Sequence, residues 1–175
     1  MSTIIDGSAS VTINNGAVLG ITSGTAVAST SGTSIDFTSI PSWVKRITVM
    51  FNGVSTSSTS NLQIQIGSGS VTTTGYVAQT TTAGAGVSTS SSTAGFIVIQ
   101  GPAATDTTSG NIQINLQTGS TYVSSGILNR GSTAAVVCIS AGILALGGTL
   151  DRVRITTANG TDTFDAGSIN ILYEG

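Results

Sequence analysis

The sequence predicts an all-β protein: an antiparallel β-sandwich, jelly-roll-like, with a short extended N-terminal segment. Three observations predict it. Apolar and polar residues alternate at period 2 in several short segments, as half-buried strands require. Turn-forming residues separate about eight to ten such segments at spacings near ten residues. No stretch of ten or more residues carries a 3.6-residue apolar stripe with helix caps.

Residues 1–32 hold only the small apolar clusters Val11-Thr12-Ile13 and Val18-Leu19-Gly20-Ile21, parted by Asn14-Asn15-Gly16. That is too little apolar mass for a core, so 1–32 is read as an attachment or interchain segment and 33–175 as one sandwich domain. The first strand of the sandwich is expected at 34–37, and the next at 44–49. In 61–67 the residues Leu62, Ile64 and Ile66 face one way, and Asn61, Gln63 and Gln65 the other. Strands follow at 76–79 and 96–100. The alternation of 61–67 returns in 111–117, with Ile112, Ile114 and Leu116 inward and Gln113, Asn115 and Gln117 outward. Further strands are expected at 122–128, 134–140, 150–155 and 168–173, with Val153, Ile155, Ile169 and Ile171 in the core. Segments 44–49 and 150–155 echo each other and run on to Asn52-Gly53 and Asn159-Gly160, dipeptides that favour the positive φ of tight hairpin turns. Stretches 55–60, 80–93 and 101–109, dominated by Ser, Thr, Gly and Ala, read as loops.

Composition narrows the chemistry. The 175 residues contain no His, one Cys, 5 Lys plus Arg and 7 Asp plus Glu, against 23 Gly, 26 Ser and 29 Thr. Without His, no Ser-His-Asp or Cys-His arrangement and no His-based metal site can be assembled, so neither a catalytic role nor a cofactor is expected; calcium at the loop of Asp162 and Asp165 stays open as a minor reading, without an EF-hand pattern to support it. Asp151, Asp162 and Asp165 are near enough in sequence to be considered as a carboxylate pair of the glycoside-hydrolysing kind, but Asp162 and Asp165 flank a turn, where Asp bonds its own backbone. Cys138, inside the apolar run 134–146, has no second Cys to pair with and reads as a small buried residue. That run is broken by Ser140 and Gly142 and falls short of the roughly 20 residues that span a bilayer, so no membrane insertion is expected. A net charge of −2 with five scattered cations leaves no basic stripe for nucleic acid. The start of the chain lacks a basic and apolar leader, which predicts synthesis in a cytoplasm.

Candidate ligand contacts follow from the sparse aromatics. Tyr76 and Tyr122 lie beside Ser/Thr-rich loops and suit the stacking of sugar rings, with Arg130 as a third contact. The competing reading makes both tyrosines ordinary strand residues with one wet edge. The amides of Gln63, Gln65, Gln113, Asn115 and Gln117 can bond sugar hydroxyls, pair across a subunit interface, or simply solubilise a sheet.

Residues 34–55, SIDFTSIPSWVKRITVMFNGVS, resemble a segment common in tailed-bacteriophage fibre and related virion proteins, as does the ending 163–174, TFDAGSINILYE. The resemblance implies a jelly-roll-like domain at the distal end of a homotrimeric fibre, located in the virion and carrying no catalytic residues. The chain lacks the long repetitive shaft of a typical tail fibre. Two roles stay open: a short fibre or tip that binds a host-surface polysaccharide and docks on other virion proteins through residues 1–32, or a capsid decoration or head-fibre protein with a purely structural role.

Overall fold

Period-2 alternation becomes strand wherever the sequence shows it. A computed structural model of the chain describes residues 20–131 and 136–175 and the backbone of two short strands before them. Those are β1 (Thr12–Ile13) and β2 (Gly16–Ala17), which pair with each other; Val11, Val18 and Leu19 lie outside the described residues, as do Ala134 and Ala135. The rest of the chain runs through β3 (Thr22–Ser23), β4 (Val27–Ala28), β5 (Ser34–Thr38), β6 (Arg46–Thr56), β7 (Leu62–Ser68) and β8 (Ser70–Val71). It continues through β9 (Val77–Ala83), β10 (Val87–Ser92), β11 (Phe96–Ile99), β12 (Thr107–Thr118), β13 (Thr121–Gly131), β14 (Val136–Ala145), β15 (Arg152–Thr157) and β16 (Phe164–Glu174).

Two antiparallel sheets form the sandwich. The nine-stranded sheet has the order β10-β9-β14-β13-β12-β6-β16-β3, with β4 also paired to β16; the five-stranded sheet has the order β11-β7-β15-β5, with β8 paired to β7. The chain passes between the sheets at β4–β5, β5–β6, β6–β7, β8–β9, β10–β11, β11–β12, β14–β15 and β15–β16. Their inner faces meet in one core. Leu62, Ile64, Ile66, Ile112, Ile114, Val153, Ile155, Ile169 and Ile171 are buried there as the alternation predicts, and Leu116 is half-buried at its rim.

Four expectations need correction. The stretch 80–93 is not a loop: Thr80 to Ala83 extend β9, and β10 returns along it with Val87 opposite Ala83 and Ser92 opposite Ala78. Its Ser and Thr carry no apolar alternation, so the pairing comes from the ladder β9 makes with β14. Gln63 and Gln65 are buried rather than solvated, because the segment joining β10 to β11 closes over them. The Gln65 amide donates to the Ala94 carbonyl at 2.9 Å, and Gln63 Oε1 accepts from the Ser92 hydroxyl at 3.4 Å. Asn52-Gly53 does not end a strand. It lies inside β6 at a bulge, where the register shifts against both β12 and β16. Gly53, Gly110 and Gly167 have φ of 62°, 136° and 89°, so three neighbouring strands carry left-handed glycines at this one level. Asn159-Gly160 does make the expected turn, with the Gly160 amide bonded to the Thr157 carbonyl at 3.1 Å. Lastly, part of the segment assigned to attachment belongs to the sandwich: β3 and β4 hydrogen bond to β16, and the fully buried Ser29 donates its hydroxyl to the Ala166 carbonyl at 2.8 Å.

Candidate functional site

Tyr76 and Tyr122 do not present a ring to solvent. Tyr76 is 1% exposed and Tyr122 5%, and both span the gap between the sheets. The Tyr76 hydroxyl accepts from the Ile66 amide at 2.8 Å and lies 3.1 Å from the Thr72 carbonyl, while its ring meets Phe96 edge to face at 4.9 Å. The Tyr122 hydroxyl accepts from the Leu150 amide at 3.2 Å. Each tyrosine thus ties the nine-stranded sheet to a backbone group in or beside the five-stranded one. Neither can stack a sugar, because burial between the sheets leaves neither ring a face open to solvent. Arg130 stands eight residues beyond Tyr122 on β13, about 27 Å along the strand. Its Nη1 donates to the carbonyls of Gln100 at 2.5 Å and Gly101 at 2.8 Å, and its Nε faces the Asp106 carboxylate at 3.4 Å. Arg130 therefore clamps the loop between β11 and β12. The three residues form no common site.

Burial pushes the Tyr76 hydroxyl up to about 12, since the core disfavours the phenolate. A raised tyrosine pKa keeps its full contribution below the unfolded value near 10, and that contribution drains away as pH rises towards 12. We expect stability to fall by about 2 kcal/mol between about pH 9 and about pH 12 through this group. Urea denaturation at both pH values tests it: the alkaline loss should shrink in Tyr76→Phe, and an equal loss in both proteins would assign it elsewhere.

A different set of residues converges on the outer face of the five-stranded sheet. Asp36, Arg154 and Gln65 are cross-strand neighbours on β5, β15 and β7, and Ser34, Thr156 and Gln63 form the adjacent row. Arg154 holds Asp36 with a two-pronged ion pair, Nε to Oδ1 at 2.7 Å and Nη2 to Oδ2 at 2.8 Å. That bond raises the guanidinium above its usual range. The Thr156 hydroxyl donates to the Thr33 carbonyl at 2.8 Å. Thr73, Ala94 and the Asn159-Gly160 turn border, with these rows, a groove of about 340 Å³. The turn is held firmly. Asn159 Oδ1 accepts from the Thr161 and Asp162 amides at 3.0 and 3.2 Å, and Asp162 accepts from the Asn159 amide group at 2.7 Å and the Ser60 amide at 3.0 Å. Asp162 is thus occupied in turn chemistry, as its position predicts.

Hydroxyls, amides and the Arg154 guanidinium, paired with Asp36, line the groove. Such a lining offers many donors and acceptors and little net charge, which matches a neutral polyhydroxylated ligand. Of its residues, Gln63 and Gln65 were legible as an amide row. Arg154, Thr156 and Thr73 were not, because only strand pairing brings them beside that row. No known protein family matches the chain, and no characterised protein or solved structure is significantly similar to it.

Proposed function

We propose that this chain is a structural protein of a bacteriophage virion, a short fibre or tip that displays a homotrimeric β-sandwich and takes a host-surface polysaccharide into the polar groove. The observation that carries the reading is where the two fibre-like segments lie. Residues 46–55 and 164–174, from the two ends of the sandwich sequence, run side by side as β6 and β16, paired from Phe164 opposite Thr56 to Glu174 opposite Arg46. Both share the bulge at Gly53 and Gly167, so these parts of the two segments are neighbours in one sheet, while residues 34–38 of the first segment form β5 in the other sheet. The groove supplies the second support, since weak contacts to neutral sugars become useful when many copies act at one surface.

Electron microscopy of virions labelled with antibody against the purified protein tests the location. Label on the tail is the expected result, label on the head would favour the decoration role, and unlabelled particles would end the virion reading. For the groove, Thr73→Trp adds bulk at an exposed wall position and should reduce binding of the oligomer to isolated host polysaccharide at least about tenfold, with the melting temperature unchanged. Undiminished binding would reject the groove.

A further inference from the structure

Strand β14 is built the wrong way round for a strand with one wet face. Cys138, Ser140, Gly142 and Leu144 point into the core, whereas Val137, Ile139, Ala141 and Ile143 point outward. The bulkier and more apolar set faces solvent. Strands that read as continuous apolar runs are those buried on both faces. The same holds for the neighbours of β14: Ile127 on β13 pairs with Ile139, Val77 on β9 pairs with Ile143, and Val137 pairs with Ala83, itself opposite Val87. Among the described residues, six of the seven large exposed hydrophobics lie on this one face, with Val77 at 70% and Ile127 at 59% exposure. Monomeric proteins rarely leave so contiguous an apolar surface in water.

We infer that the outer face of β9, β10, β13 and β14 is an interface with a second copy of this chain. Three features select that occupant. The four strands carry one charged residue between them, Arg130, which is engaged with the β11–β12 loop, so like faces meet without repulsion and an oppositely charged partner finds nothing to grip. The relief is self-matching: ridges through Ile127–Ile139 and through Val123–Ile143–Val77 flank a row of small residues, Ser125 and Ala141, where a hollow of about 550 Å³ opens. A ridge of one copy can seat in the hollow of another. The size also suits: four strands and the polar border of β12, seven to ten residues deep, cover about 600–800 Å², close to the about 800 Å² per partner of a stable interface. This assignment rests on the homotrimer proposed above: around a three-fold axis the ridge of each copy seats in the hollow of the next, a head-to-tail contact that closes at three.

The test uses the full chain. In analytical ultracentrifugation the wild type should be an oligomer at micromolar concentration, and Ile127→Asp/Ile139→Asp should be a folded monomer with dissociation at least about a hundredfold easier. A wild type that stays monomeric, or a double variant that keeps the wild-type mass, overturns the interface, while the antibody labelling of virions is read independently of either. Should the double variant fail to fold, thiol labelling decides. Ala141→Cys on this face should react with maleimide at least about tenfold more slowly than Thr73→Cys on the other sheet. Equal rates would overturn the inference, and so would protection of Ala141→Cys in a protein that sediments as a monomer, which would assign the face to the N-terminal residues of the same chain.

Discussion

Replacing Ile64 with aspartate is expected to abolish soluble folding. Ile64 is fully buried on β7, between Phe96 on β11 and Ile155 on β15, and nothing cationic lies among the described residues of that core to meet a carboxylate. Burying an unpaired charge, or protonating it to avoid doing so, costs several kcal/mol, and the lost packing adds about 2–5 kcal/mol. The sum rivals the whole stability of a typical domain, about 5–15 kcal/mol. Thr38→Asp is the matching control, because Thr38 sits on the exposed face of β5 with no partner that an aspartate would break among the described residues. It should stay within about 0.5 kcal/mol of wild type. Soluble yield and far-UV circular dichroism check both, and a soluble Ile64→Asp with the wild-type spectrum would contradict the core. Gln63→Asp does not serve as that control, since Gln63 is closed over by the β10–β11 connection.

The second large effect is expected at the bulge. Gly167 and Gly53 both have left-handed φ, 89° and 62°, so alanine at either pays for that conformation. Their surroundings differ. A Cβ on Gly53 would meet nothing within 4 Å, whereas one on Gly167 would lie 2.4 Å from the Gly53 carbonyl oxygen and 2.5 Å from its carbon. Backbone cannot step aside as a side chain does. Gly167→Ala should therefore cost about 3 kcal/mol or more, and Gly53→Ala about 1 kcal/mol. Urea midpoints of the two variants separate these values, and equal losses would mean that β6 and β16 are not held this closely.

The residues that alternate show what the sequence determines by itself. In 61–67, 111–117 and 150–155 the period of two is a property of extended backbone alone, so the inward set could be read without knowing any partner strand. Turn chemistry at Asn159-Gly160 and Asp162 was legible for the same reason, since those hydrogen bonds close within a few residues. Asn52-Gly53 was half legible: the dipeptide announces positive φ, but whether that φ makes a turn or a bulge depends on β12 and β16, which approach from 50 to 120 residues away in sequence.

Other features depended wholly on the tertiary structure. Ser/Thr-rich 80–92 became a hairpin because β14 offers a ladder, and backbone hydrogen bonds ask little of side-chain polarity. Tyr76 and Tyr122 went inward because Ile66 and Leu150 present amides at the reach of their hydroxyls, an arrangement that no local pattern encodes. Arg154 met Gln65 and Asp36 only through the pairing of β15 with β7 and β5. In β14 the sequence shows an apolar run and stops there. Which half of that run fills the core and which half is left for another surface is decided by the packing of β11 across it, because a strand apolar on both sides has no preferred face until a second sheet covers one of them.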